Sequence, residues 1–101
     1  MTLKELMEMH SLSLSIGVTG VLEIAEQIVV KLDNVTYIDK MDTSKRVVSR
    51  GYGDTIDTAI EQYIEQMSKY DKMFISLAGG TFIEINTPRV TTFDSTKKIT
   101  R

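Results

Sequence analysis

One stretch of this chain admits a single local structure. From Ile56 the apolar residues Ile56, Ala59, Ile60, Tyr63, Ile64 and Met67 recur at the three-and-four spacing of an α-helix, while Asp57, Glu61, Gln62, Glu65 and Gln66 fall on the opposite side. A stripe this continuous has to be covered by another element. Asp54 or Thr55 offers a side-chain oxygen to cap the helix start, and the flexible Gly51-Tyr52-Gly53 precedes it. Apolar residues elsewhere follow a period of two, so the stripe is expected to lie on a β-sheet.

Leu12, Leu14, Ile16 and Val18 alternate with Ser11, Ser13, Ser15 and Gly17, the pattern of a half-buried strand, and Thr19-Gly20 is expected to turn the chain. Residues 21–26 fit either a helical turn or a loop. A second strand is predicted over 27–32, resuming through Val35-Thr36-Tyr37-Ile38 after a bulge or turn at Asp33-Asn34. Asp42-Thr43-Ser44 closes that segment, and Arg46-Val47-Val48-Ser49-Arg50 is its antiparallel return. Beyond the helix, residues 73–77 and 81–85 flank Gly79-Gly80 as a hairpin, which Pro88 stops. At the other end, Thr2-Leu3-Lys4-Glu5 has the form of a capping box opening a short helix that ends near His10-Ser11. The expected fold is therefore α+β, in the order α-β-β-β-α-β-β: one mostly antiparallel sheet with the long amphipathic helix packed on one face. Residues 1–88 form the single domain, and 89–101 a polar C-terminal tail.

Composition narrows the chemistry. The chain has 101 residues, 42% hydrophobic and 26% charged, as ordinary globular proteins do. It has no cysteine, which removes disulfides, thiolate zinc sites, thiol catalysis and iron–sulfur clusters, and a single histidine, His10. A formal net charge of -2 gives no global positive field for holding nucleic acid. No long apolar run suggests a membrane span or signal peptide, so a cytoplasmic location is expected. A domain of this size buries only about two-thirds of its unfolded surface, which makes a homo-oligomer or another partner attractive as added burial.

The most suggestive local segment is Arg50-Gly51-Tyr52-Gly53-Asp54-Thr55, the candidate partner- or ligand-binding site. Glycines allow close approach to a helix N-terminus, and Arg50 adds positive potential for a small anion. Tyr52 beside Arg50 pairs two side-chain types favoured at protein interfaces. Asp39 with Asp42, or Asp54 with Asp57, could bind a hard cation, but each pair has the form of turn or helix-start chemistry. His10 sits where a helix dipole favours a cation. Tyr37, Tyr52, Tyr63, Tyr70, Phe74 and Phe82 are scattered along the chain, and Phe74 and Phe82 are expected to fill the core of the last hairpin. The basic cluster at 97–101 has the form of a solvated terminus. No catalytic constellation, metal site or cofactor is expected.

Met1-Thr2-Leu3-Lys4-Glu5-Leu6-Met7, Leu12-Ser13-Leu14-Ser15, Gly51-Tyr52-Gly53-Asp54-Thr55, Ala59-Ile60 and the closing Ile83-Glu84-Ile85-Asn86-Thr87-Pro88 together resemble small proteins encoded by tailed bacteriophages. Gly53-Asp54-Thr55 with Ala59 also resembles the helix start of HicB-type antitoxin domains. The first resemblance implies a non-enzymatic accessory protein that binds a host or phage protein, for instance as an inhibitor of a host defence system. The alternatives are an oligomeric protein that sequesters a nucleotide-like anion and an antitoxin-like binder of toxin or DNA.

Overall fold

The computed structural model describes residues 1–21 and 24–94, and of 20, 21 and 24–26 the backbone alone. The first helix, α1 (Leu3–His10), begins at the expected capping box: Thr2 Oγ1 accepts the Glu5 N–H at 3.1 Å, and Glu5 Oε1 accepts the Thr2 N–H at 2.9 Å. Ser11 ends it in the left-handed conformation. Strands β1 (Leu14–Val21) and β2 (Ile24–Leu32) then pair antiparallel. The turn expected at Thr19-Gly20 is instead a register irregularity inside β1, whose last residue, Val21, pairs with Ile24. Of the segment 21–26, Leu22 and Glu23 lie outside the described residues, and the remainder is strand.

The chain next passes through Asp33-Asn34 into β3 (Val35–Ile38), and here the single-sheet expectation fails. Asn34 adopts the left-handed conformation, with φ 65°, outside the extended region of a regular strand. Asp33 still donates its N–H to the Ser13 carbonyl at 2.9 Å, whereas the Asn34 carbonyl accepts the Ser76 N–H at 2.8 Å. Neighbouring residues thus serve two different sheets. One has the order β1, β2, β5 (Gly51–Gly53) and the other the order β4 (Arg46–Val47), β3, β6 (Lys72–Ser76), β7 (Phe82–Asn86), with every pairing antiparallel.

The expected order is corrected as well, because the return segment after Asp42-Thr43-Ser44 makes two short strands. β4 (Arg46–Val47) pairs with β3, and β5 (Gly51–Gly53), which the glycines had marked as flexible, pairs with β2. After the helix α2 (Ile56–Met67), β6 (Lys72–Ser76) and β7 (Phe82–Asn86) form the hairpin expected around Gly79-Gly80, both of which have φ 83°.

α2 lies across β5 and β2, and its stripe is buried from Ala59 to Met67; Ile56, in the first turn, is exposed. The core joins that stripe to Leu3 and Leu6 of α1, Val30 and Leu32 of β2, Val35 and Tyr37 of β3, and Met73 and Ile75 of β6. Fully burying a large side chain of this kind contributes about 1.5–3 kcal/mol. Val90 completes the cluster, so the core reaches past residue 88. The strap that carries it runs along α1: Leu3 N–H donates to the Thr92 carbonyl and Lys4 N–H to the Phe93 carbonyl, each at 2.9 Å. Residues 95–101, with their basic cluster, lie outside the described residues.

Candidate functional site

Packing accounts for the two glycines of the 50–55 segment. A Cβ at Gly51 would fall on the Ala59 carbonyl oxygen and the Tyr63 amide nitrogen, and one at Gly53 on Thr58 Oγ1, within 2.6 Å of the Ala59 nitrogen. Both glycines face α2, so the helix can lie directly on the strand backbone. The start of α2 is similarly taken up. Thr55 is the cap: its Oγ1 accepts the Thr58 N–H at 3.1 Å, while Thr58 Oγ1 accepts the Thr55 N–H at 3.0 Å. An anion at this helix start would compete with side chains for those two amides.

Arg50, Tyr52 and Asp54 stay exposed. Tyr52 alternates with the glycines and therefore projects from the face of the first sheet opposite α2, with 40% of its surface exposed. Across the strands Gly17 is in register with Val29, and Val29 with Tyr52, giving a short row of low relief. Next to it, Ser15, Gly17, Val29, Lys31 and Arg50 line a shallow depression of about 190 Å³. Ser15 Oγ donates to Asp33 Oδ1 at 2.5 Å, and Lys31 Nζ lies 3.4 Å from the same oxygen. These contacts, the serine hydrogen bond foremost, hold the Asp33 carboxyl below its usual range. The resulting face is small-featured and apolar at its centre. Tyr52 stands over it, and a cationic margin comes from Arg50 and from Lys31, part of whose charge Asp33 balances.

The other candidate residues have local duties. Asp39 Oδ1 accepts the Met41 N–H at 2.7 Å, and Asp42 Oδ1 accepts the Ser44 N–H at 3.1 Å and the Ser44 hydroxyl at 2.6 Å, closing a turn. The serine contacts lower the Asp42 pKa. Asp57 sits in the first turn of α2 and His10 in the last turn of α1. Among the described residues, no group of three or more His, Cys, Asp or Glu side chains is placed to hold a metal ion. The hydroxyls of Tyr37 and Tyr63, both buried, meet at 2.6 Å and tie the second sheet to α2. Desolvation pushes the Tyr63 pKa up to about 12, against the lowering effect of hydrogen bonds from Tyr37 and the Leu32 backbone, and pushes that of Tyr37 up further.

Two surface features escaped the sequence pattern. Phe74 and Phe82 do not fill the hairpin core. They lie on the solvent face of β6 and β7, with ring centroids 5.3 Å apart, and the Arg46 guanidinium carbon sits 4.4 Å from each centroid. Period-two counting outward from Met73 and Ile75, both buried, assigns Phe74 to the opposite face. The second feature is β1, where Ile16 and Val18 are 52% and 65% exposed although they belong to the core-facing side. Among the described residues no helix is long and apolar enough to cross a membrane.

No protein-family model, curated protein or solved structure matches this chain.

Proposed function

We propose that this protein acts by stoichiometric binding to another protein, not by catalysis, and that the face bearing Tyr52, Val29 and Arg50 makes the contact. The reading extends to a homo-oligomeric bacteriophage accessory protein working in the host cytoplasm, with a host or phage protein as target and inhibition of a host defence system as the biological outcome. The observation that carries it is the outward projection of Tyr52 from a strand whose two glycines are fully explained by helix packing. Tyrosine supplies a large rigid contact at low entropic cost, and arginine at the margin supplies orientation. The flat relief around Gly17 and Val29 suits a protein surface better than an enclosed small molecule. The anion-sequestering alternative draws less support, because the Thr55 and Thr58 amides at the α2 start are already hydrogen-bonded.

Immobilised wild-type protein and its Tyr52→Ala and Arg50→Glu variants, exposed to lysate of a bacterial host, test this reading. Expected is a protein retained in fixed molar ratio by the wild type and lost from both variants, with their circular dichroism unchanged. Equal retention by all three, or none by the wild type at micromolar concentration, contradicts it. Native mass spectrometry after exposure to a nucleotide extract separates the alternative: a retained small-molecule mass would move the assignment to anion sequestration.

A further inference from the structure

We propose that β1 is a dimer seam, along which two copies of this chain pair antiparallel and join their three-stranded sheets into one. The inference specifies the contact behind the homo-oligomer in the proposed function, and it is independent of any foreign partner.

The register fixes which groups are available. Asp33 N–H donates to the Ser13 carbonyl, and Leu14 is opposite Leu32. By the alternation of an antiparallel ladder, Ser15, Gly17 and Thr19 turn their backbone groups toward β2, while Leu14, Ile16 and Val18 turn theirs outward from the sheet edge. The side chains of the outward set share the face of Val30 and Ile28. Val30 is fully buried, but α2 lies over β2 and β5 and leaves Ile16 and Val18 uncovered. The same stretch thus presents unpaired main-chain groups and exposed apolar side chains together.

A second copy fits this edge because the strand is complementary to itself. A two-fold axis at Ile16 sets Leu14 opposite Val18 of the partner subunit and Ile16 opposite its own counterpart, each pair exchanging two backbone hydrogen bonds. Apolar then meets apolar on the α2 side, and Ser15 meets the glycine of the partner subunit on the other, with no bulk to obstruct the approach. From Leu12 to Val21 the sequence has no charged residue, so nothing on this stretch repels an identical strand. The other edges lack this combination. The Tyr52 N–H on the outer side of β5 donates to Gln62 Oε1 at 2.5 Å, β4 has only two residues and begins with Arg46, and β7 carries Glu84. Joined at β1, the two subunits would also set their Tyr52 faces on one continuous sheet surface.

Sedimentation velocity and native mass spectrometry of the full chain test the seam. The wild type and Ile16→Val are expected to migrate as two-chain particles at tens of micromolar, a typical concentration for such measurements. Ile16→Lys sets two like charges together at the axis, and Ile16→Pro removes an outward N–H without touching the β2 ladder. Each is expected to weaken dimerisation at least about a hundredfold with unchanged circular dichroism. Tyr52→Ala should stay dimeric, which separates failure of the seam from failure of the partner face. A monomeric wild type overturns the proposal, as does a dimer that survives both disruptive substitutions. A monomer that accepts only a foreign strand along β1 overturns it equally.

Discussion

The two edges of the first sheet teach opposite lessons about how a small domain treats an exposed strand. At β5 the edge is sealed: glycines let α2 sit on the backbone, and Gln62 from the same helix takes the outward Tyr52 N–H. At β1 the edge is longer, uncharged and uncovered, with Ile16 and Val18 facing solvent on the side that is core one strand away. A single twelve-residue helix cannot cover three strands, so covering one edge leaves the other bare. The closed edge is tied to α2 by packing and a hydrogen bond, and the open one is where the proposed dimer seam would form.

The largest effect that would break this contrast is at Gly51. Gly51→Ala drives a methyl group into the backbone of α2, which cannot move without leaving the sheet, and is expected to cost about 3 kcal/mol or more. Urea denaturation checks it; a loss under 1 kcal/mol would show that α2 does not sit on β5 as described. Next comes the tyrosine pair. Tyr63→Phe leaves the buried Tyr37 hydroxyl without its partner and should cost about 1–3 kcal/mol, while adding Tyr37→Phe should cost less than the sum of the two single changes.

The same pair sets an alkaline limit. Burial pushes the pKa of Tyr63 in the folded protein up to about 12, from the ordinary tyrosine value of about 10. A folded-state value raised above the unfolded one means that this contribution is fully present below pH 10 and is lost as the pH rises from there toward 12. Thermal unfolding followed from pH 8 to 12 should show the fall beginning near pH 10 in the wild type and blunted in the double phenylalanine variant.

Smaller effects sharpen the contrast between the edges. Gln62→Ala unseals the outer side of β5 and should cost about 1 kcal/mol, accompanied by faster exchange of the Tyr52 amide. Gly17→Ala is expected to be nearly neutral, within about 0.5 kcal/mol, because its new methyl would meet only Val29 Cγ1 at 3.6 Å. Near-equal losses for the glycine substitutions at 17 and 51 would remove the distinction between the two strands.

Local chemistry was the part of the molecule most legible in sequence. The Thr2–Glu5 box, the α2 stripe and the glycine hairpin depend on residues within a few positions of one another, and they stand where their spacing put them. The division into two sheets was not legible, since Asp33-Asn34 suits a bulge within one sheet as readily as a crossing between two. What decides it is the pairing of Asn34 with Ser76, far along the chain. Gly51 and Gly53 misled for a related reason: a glycine needed for close approach to a helix reads in sequence like one needed for a ligand. Arg50, Tyr52 and Asp54 of the candidate site are exposed, and the direction Tyr52 faces is set by the long-range pairing of β5 with β2.

Residue-resolved amide exchange at two protein concentrations tests the contrast most directly. The Tyr52 amide is expected to be protected at both, whereas the Leu14, Ile16 and Val18 amides exchange rapidly in dilute solution and become protected as the concentration rises, with Ser15, Gly17 and Thr19 protected throughout. Rapid exchange of Leu14, Ile16 and Val18 at every concentration, or exchange of Tyr52 as fast as theirs, would contradict it.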